Sequence, residues 1–254
     1  MRRIEGILFD LGDTLLDFGV VDVQSMFQQG GRLAYQYLSD LKLPLPSYKR
    51  FYRRQLWAIR WSYFKSRFTR REFNALDVLG RQAADMGHDL TPEQTVQLAW
   101  MWYAPLSRQA RVEDNARKVL CELRDAGLTI GLVSNTFVPG EVLDRHLQQV
   151  NLLDLLPIRV YSCDVAYRKP HPSIFAMALE RTGLRAASTL FVGDSPDADI
   201  LGANRAGLIS VLKDPLNRHA RSKIKPAHRI NRLEQLSEIV AQYNGGDSSP
   251  RRAD

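Results

Sequence analysis

The sequence is poor in cysteine and lacks a long apolar run. Its 254 residues include two cysteines, Cys121 and Cys163. They have no Cys-x-x-Cys or Cys/His spacing, which excludes a disulfide framework and the usual zinc sites, so we expect small packing residues. No apolar run approaches the roughly 20 residues that span a bilayer, and the first residues lead into a strand instead of a signal-peptide core. We therefore expect a cytoplasmic protein without a membrane partner.

Acidic residues are missing from residues 41–71, in a chain whose formal net charge is +7. Arginine and lysine alternate there with aromatic side chains. The basic side chains are expected to form a solvated helix face, and nucleic acid is the alternative, because cations and aromatic rings suit phosphates and bases. No recognised nucleic-acid motif supports that alternative. Two series of apolar and aromatic residues recur at helical spacing, which predicts that most of the aromatic side chains pack one broad helix face. The first series is Tyr52, Leu56, Ile59 and Tyr63, and the second is Trp57, Trp61, Phe64 and Phe68.

The order of predicted elements indicates an α/β fold. A first strand near residues 5–10 is followed by a segment that reads as helices only, and from residue 114 helices and short apolar strands alternate. Such alternation predicts a doubly wound parallel sheet with right-handed crossovers. We expect a Rossmann-like core from residues 1–16 and 107–244, an inserted all-helical cap at 17–106 and a disordered tail at 245–254.

Asp10 is the first candidate for chemistry. It closes the apolar strand Ile7-Leu8-Phe9, and the turn Gly12-Asp13-Thr14 follows. Gly12 and Thr14 make a tight turn whose backbone N–H groups can face an anion. Asp10 is placed to act as a nucleophile or a metal ligand. On its own, the segment is equally consistent with a strand that ends in an ordinary Gly-Asp turn.

Three further strand ends carry polar residues. Ser134 and Asn135 can bind an oxyanion or cap the next helix. Lys169 precedes a proline-started helix and is suited to hold a phosphate or a carboxylate, or to be a solvated loop lysine. Asp194 and Asp199 belong to an acidic cluster that suits a hard cation such as Mg²⁺, because neighbouring acids repel one another without a cation or base.

These four motifs follow one another in the order of the haloacid dehalogenase-like hydrolase superfamily, which the sequence resembles over nearly its whole length. The resemblance includes Val133-Ser134-Asn135-Thr136, Arg168-Lys169-Pro170 and Val192-Gly193-Asp194-Ser195. It is strongest to the subgroup with a helical cap between the first and second motifs. We therefore expect an enzyme, a hydrolase, and most simply a phosphatase that acts on a small soluble phosphomonoester.

The resemblance implies a role for each motif. Asp10 would attack phosphorus and become an aspartyl-phosphate, which water then hydrolyses. The Mg²⁺ ion would be held by Asp10, the Gly12 carbonyl, Asp194 and Asp199, the last directly or through water. The transferring oxygens would be cradled by Ser134, by Asn135 through its backbone amide, and by Lys169. The helical cap would close over the site and select the leaving group.

Gly12 departs from the pattern of this superfamily. Its phosphatases normally carry a second aspartate two residues after the nucleophile, which protonates the leaving oxygen and later activates water. Here that position is glycine, and Asp13 lies one step further on. General acid-base help is typically worth about 10²–10⁴-fold. Asp13 is therefore the candidate replacement, although adjacent side chains of an extended segment point to opposite sides.

Two other functions remain open from the sequence. A 2-haloacid dehalogenase displaces halide from carbon and needs no acid for the leaving group, which suits Gly12, but the acidic cluster retains a metal pattern. A binding or regulatory module would keep the fold and use its basic cap to recruit an acidic partner or nucleic acid. The identity of the substrate and the oligomeric state are not encoded in any motif.

Overall fold

A parallel sheet forms the centre of the protein. The structure, a computed structural model, describes residues 3–69 and 71–245. Within them, the main sheet has the strand order β5-β4-β1-β6-β7-β8, with every neighbouring pair parallel. This confirms the predicted doubly wound sheet. Its strands are β1 (Gly6–Phe9), β4 (Thr129–Ser134), β5 (Ile158–Tyr161), β6 (Thr189–Gly193), β7 (Ile209–Lys213) and β8 (His228–Ile230).

Helices cover both faces of the sheet, because successive strand residues point to opposite sides. On one face, Leu8 and Phe191 pack with Phe175 and Ala203. On the other, Ile7 and Phe9 belong to a larger core that continues into the inserted helices. The core helices are α5 (Ala116–Asp125), α6 (Gly140–Gln149), α7 (Ser162–Val165), α8 (Pro172–Thr182), α9 (Leu201–Arg205) and α10 (Gln235–Asn244).

The inserted segment is helical, and we call it the cap. It contains α1 (Val23–Asp40), α2 (Tyr48–Thr69), α3 (Ala75–Ala84) and α4 (Pro92–Gln109). The chain leaves the core through β2 (Leu16–Asp17) and returns through β3 (Arg111–Val112), and these two strands pair antiparallel. We propose that this ribbon delimits the cap, close to the predicted boundaries at residues 17 and 106.

Contacts in two regions hold the cap against the core. The Tyr103 hydroxyl of α4 lies 2.9 Å from Nδ1 of His146 in α6, and both side chains are buried. Near the carboxyl edge of the sheet, the segment that joins α2 to α3 docks on the loops after β4 and β5: Glu72 N donates to Ala166 O at 3.0 Å, and the Phe73 ring stacks on Phe137 at 5.1 Å. The cap therefore covers the carboxyl ends of the strands.

The structure differs from the sequence prediction mainly in α2. Its aromatic side chains at positions 57, 61, 64 and 68 were predicted to pack, and all four are exposed. The helix buries Phe51, Gln55 and Ser66 instead, because two helix faces carry aromatic residues and periodicity alone does not identify the inner one. The strands β2, β3 and β8 were also missed, because each has two or three residues and no apolar run.

The remaining predictions have mixed outcomes. Cys121 and Cys163 are free thiols. Among the residues that the structure describes, no helix combines the length and the apolar character needed to cross a membrane. The predicted tail lies outside the described residues beyond Gly245.

Candidate active site

The strand order brings the sequence motifs together. Strands β4, β1 and β6 are neighbours at the centre of the sheet, and ligands of such sheets bind beyond the carboxyl ends of the strands. Asp10 directly follows β1, Ser134 ends β4 and Asp194 directly follows β6. The backbone N–H of Asp10 still donates to Val192 O at 2.8 Å, so the register of the sheet fixes its position.

Lys169 is the buried cation of this site. Its side chain is 2% exposed and forms ion pairs with Asp10 and with Oδ1 of Asp199, the latter at 2.7 Å. The ammonium also donates to Val133 O at 2.9 Å. Burial alone would lower the pKa of Lys169, but the two carboxylates outweigh it and raise the pKa above its usual value. Lys169 is therefore a permanent positive charge beside Asp10 and not a solvated loop lysine.

The carboxamide of Asn135 holds the main chain of Lys169. Its Oδ1 accepts from Lys169 N at 2.7 Å, and its Nδ2 donates to Lys169 O at 3.0 Å. This side chain positions the lysine, so of the oxyanion contacts predicted for Asn135 only its backbone amide is a candidate. Ser134 is buried beside it, with 5% of its surface exposed. Neither residue caps a helix, because α6 begins five residues later at Gly140.

Three carboxylates converge next to Lys169. Asp10, Asp194 and Asp199 each offer an oxygen within 4.8 Å of the others. Burial, followed by the charges of Asp10, Asp199 and Asp13, raises the pKa of Asp194 to about 7. Burial, opposed by Lys169 and assisted by Asp199, raises the pKa of Asp10 to about 6. The cluster holds more negative charge than Lys169 balances, which is a feature of cation sites.

Asp199 is fixed by its surroundings. Its Oδ2 accepts from Ser195 N at 2.9 Å, and its Oδ1 faces the Lys169 ammonium. A Cβ at position 193 would lie 2.4 Å from the Asp199 Cγ, so only glycine fits between β6 and this carboxylate. Its Oδ2 accepts a hydrogen bond and its Oδ1 forms an ion pair with the ammonium, so Asp199 orients Lys169.

In the turn after Asp10, Gly12 and Asp13 differ in backbone conformation. Asp13 has a left-handed backbone with φ of 55°, whereas Gly12 is not in that region. A Cβ at position 12 would meet the Phe18 ring at 3.5 Å, an ordinary contact, so a Cβ fits there. The Asp13 side chain is exposed, and its charge raises the pKa of Asp194. Asp13 therefore lies close to the acidic cluster.

Two buried charged side chains near the site, Glu72 and Lys213, were not predicted from the sequence. Glu72 enters from the cap, where its Oε2 accepts from the Ser162 hydroxyl at 3.2 Å and lies 3.8 Å from Arg168 Nε. Lys213 ends β7 and donates to Thr14 O at 2.7 Å. Both contacts join residues that are distant along the chain, so no local motif announces them.

A pocket of about 740 Å³ opens beside Lys169. The cap contributes Tyr63 and Ser66 of α2 to its wall, and the core contributes Arg168, His171 and Arg205. The pocket thus combines cationic groups, one acidic residue, Asp197, and an aromatic ring at the junction of cap and core. Of the candidate catalytic residues Lys169 lines this pocket, whereas Asp10, Ser134 and Asp194 do not.

Comparison with known proteins identifies the family. The profile of the haloacid dehalogenase-like hydrolases matches residues 4–207. The chain belongs to this family. The protein is accordingly a hydrolase with the Rossmann-like core of the superfamily and a helical cap.

Curated relatives of the chain are named as phosphatases. Phosphoglycolate phosphatase of Xanthomonas campestris pv. campestris is 29% identical over 214 residues, which are 83% of each chain. Ribulose-1,5-bisphosphate 5-phosphatase of Halopiger xanaduensis is 30% identical over 148 residues, 55% of this chain and 61% of that protein. The chain spans about half the length of two other curated relatives, 50% of a pyrimidine 5'-nucleotidase of Escherichia coli and 48% of a phosphoglycolate phosphatase of Yersinia pseudotuberculosis.

A solved structure shares the fold. The 2-haloacid dehalogenase from Pseudomonas syringae pv. Tomato DC3000 aligns with a TM-score of 0.65 over 94% of this chain and 99% of that one. The sequences are 23% identical. This likeness extends over core and cap together.

Proposed function

We propose that the protein is a Mg²⁺-dependent phosphatase that hydrolyses a small phosphomonoester through an aspartyl-phosphate. The observation that carries the proposal is the buried cluster of Asp10, Asp194 and Asp199 around the Lys169 ammonium. A carboxylate nucleophile, a fixed cation and further hard oxygen ligands are the groups that phosphoryl transfer needs. The names of the relatives support a small phosphorylated substrate, and the cytoplasmic location remains a prediction.

The residues divide the work as follows. Asp10 attacks phosphorus, the bond to the leaving oxygen breaks, and water later cleaves the acyl phosphate. Lys169 neutralises charge on Asp10 and on the transferring oxygens, while Ser134 supplies a hydroxyl at the neighbouring strand end. Asn135 and Asp199 hold Lys169 in place. The cap excludes water from this buried site.

The donor set fits a magnesium ion. The ligands on offer are hard oxygens, the carboxylates of Asp10 and Asp194 and the Gly12 carbonyl, and their number leaves places for water and a substrate oxygen. Bound there, the ion would offset the repulsion between Asp10 and the phosphate. Burial, followed by the neighbouring carboxylates, raises the pKa of Asp194, and a bound cation would oppose that shift.

Asp13 takes the place of the missing acid-base residue in this proposal. Its charge contributes to the raised pKa of Asp194, and its carboxyl group is exposed. Its left-handed backbone differs from the extended geometry that would direct it away from Asp10. Without a group at position 12, we expect slower hydrolysis and a preference for good leaving groups.

A phosphatase assay tests the proposal. Purified protein is assayed with p-nitrophenyl phosphate and a panel of phosphorylated metabolites, with and without Mg²⁺, beside an Asp10→Asn control. We expect Mg²⁺-dependent turnover that the control lacks. Turnover no higher than that of Asp10→Asn would contradict the proposal. Halide release from 2-chloropropionate in EDTA would favour the dehalogenase alternative, which the glycine at position 12 keeps open.

A further inference from the structure

Helix α2 exposes a continuous aromatic ridge. Trp57, Trp61, Phe64 and Phe68 are 70%, 60%, 52% and 73% exposed, and their spacing of four, three and four residues places them on one face. The Trp61 and Phe64 rings stack at 5.9 Å, and Phe64 and Phe68 lie 4.6 Å apart. Four neighbouring large aromatic side chains on a surface mark an interaction site. We call this set the aromatic ridge.

The aromatic ridge does not belong to the candidate active site. At about 100° per residue, Ser66 lies on the opposite side of the helix from Trp57. Ser66 faces the pocket beside Lys169 and is buried. The ridge therefore points away from that pocket, and binding of substrate does not cover it.

Cations flank the aromatic ridge on both sides. By the same helical geometry, Arg53 and Arg60 lie along one edge. Lys65 lies along the other edge, together with Arg54, which forms an ion pair with Asp85 at 2.8 Å. All four are exposed. At the N-terminal end of the helix, Lys49 and Arg50 join Arg53, Arg54 and Trp57 in lining a surface depression of about 630 Å³. An aromatic face with basic borders is the pattern of a helix that lies in the interface of an anionic bilayer.

Two other occupants fit the ridge less well. In a dimer formed through the ridge, helix α2 of one copy would face α2 of the other. Residues 41–71 contain no acidic residue, so like charges would meet along both edges. Single-stranded nucleic acid needs a groove and free ring faces on which bases stack. Here the rings of Trp61, Phe64 and Phe68 lie against one another.

We propose that the aromatic ridge and its flanking cations dock the protein on a bilayer surface that carries anionic headgroups. The rings enter the headgroup and acyl boundary while the arginine and lysine side chains contact lipid phosphates. This is peripheral association and involves no spanning segment. It departs from the sequence prediction of no membrane partner, which rested on the lack of a long apolar run.

Vesicle binding tests the proposal on the full chain. Phosphatidylcholine vesicles with about one third phosphatidylglycerol are compared with pure phosphatidylcholine by co-sedimentation, and tryptophan emission is recorded because Trp57 and Trp61 are exposed. We expect binding and a blue shift with the anionic vesicles. Arg53→Gln with Arg60→Gln is expected to weaken partitioning about 25-fold, since each cation near such a surface contributes about fivefold. Trp61→Gln with Phe68→Gln should weaken it by about tenfold or more.

Matched variants separate the ridge from the overall positive charge. Lys118→Gln with Arg185→Gln removes two cations from the exposed surface of the Rossmann-like core. Partitioning should stay within about twofold of the unmodified protein, because these side chains do not lie on α2. Asp10→Asn should bind vesicles like the unmodified protein, so the test does not depend on the proposed phosphatase activity. Melting curves verify that each variant is folded.

Several results would overturn the proposal. One is equal partitioning to neutral and anionic vesicles; another is no loss in the ridge variants. Binding of a short oligothymidylate that the ridge variants lose, without vesicle binding, would assign the surface to nucleic acid instead. Concentration-dependent dimers in light scattering that Trp61→Gln with Phe68→Gln abolishes would assign it to a second copy.

Discussion

The side chain of Asn135 forms hydrogen bonds with both main-chain polar groups of Lys169. Its Oδ1 accepts from the lysine N at 2.7 Å, and its Nδ2 donates to the lysine O at 3.0 Å. The contact spans 34 residues of sequence and joins the ends of two separate loops. Lys169 reaches Asp10 from this fixed backbone, so the position of the ammonium depends on an amide that touches neither Asp10 nor Asp199.

Replacement of that amide should impair catalysis through Lys169. In Asn135→Asp, a carboxylate oxygen replaces Nδ2 and faces Lys169 O, so the hydrogen bond becomes a repulsion. We expect kcat for p-nitrophenyl phosphate to fall about 100-fold, the usual effect of a displaced catalytic group. In a protein that already carries Lys169→Met, Asn135→Asp should reduce kcat little further, because Asn135 acts through Lys169. Additive losses would contradict the positioning role, and Asn231→Asp, on the exposed core surface, serves as the control.

Gly12→Asp should increase phosphatase activity. Position 12 has a backbone without positive φ and room for a Cβ beside Phe18, so the backbone accepts the substitution. A general acid typically contributes about 10²–10⁴-fold, and part of this gain should appear with poor leaving groups such as alkyl phosphates. Gly12→Asn has the same shape without the acid. Equal rates for the two variants would show that Asp13 or another group already supplies the proton.

Magnesium should stabilise the folded protein through Asp194. A ligand that binds only the native state raises its stability by RT ln(1 + [L]/Kd). We expect Mg²⁺ to raise the melting temperature of the unmodified protein and to have little effect on Asp194→Asn. Asp197→Asn removes an exposed acid from the same turn, outside the cluster, and should respond like the unmodified protein. The same shift in Asp194→Asn would place the ion elsewhere.

His146 should make the protein less stable in mild acid. Burial lowers its pKa, so below the unfolded value of about 6.5 the unfolded chain binds a proton that the native state does not accept. Above that pH the free energy of unfolding carries no penalty from His146. Below it, the free energy of unfolding falls by up to about 1.4 kcal/mol per pH unit, until the pKa of His146 in the native state is reached. His146→Gln retains an acceptor for the Tyr103 hydroxyl. Denaturant titrations between pH 7.5 and about 5 should show a flatter dependence for this variant, whereas parallel curves would contradict the prediction.

The site was predictable where the chemistry follows a strand. Asp10, Ser134 and Asp194 occupy the ends of adjacent strands, and the sequence shows both the apolar run and the polar residue after it. Glu72 and Lys213 were missed because their partners, Ser162 and Thr14, are remote in sequence. Contacts of this kind depend on how the cap sits on the core, and hydrophobic periodicity carries no information about that.

Helix α2 shows a second limit. The aromatic spacing correctly predicted a helix, but it did not identify the face that packs. Gln55 and Ser66 are buried while Trp57 and Phe68 are exposed, so the inner face is chosen by the neighbouring helices α1 and α3 and not by hydrophobicity. The same reversal is the reason that a docking surface exists on this helix.

Lys213 connects the two strands that link cap and core. Its ammonium contacts Thr14 O at 2.7 Å, in the turn between the nucleophile and β2, and Glu113 Oε2 at 2.8 Å, directly after β3. One cation is thus shared by the Asp10 turn and by the exit of the cap. Displacement of either connecting segment would break one of these contacts, so the attachment of the cap and the geometry of the turn after Asp10 depend on the same ammonium.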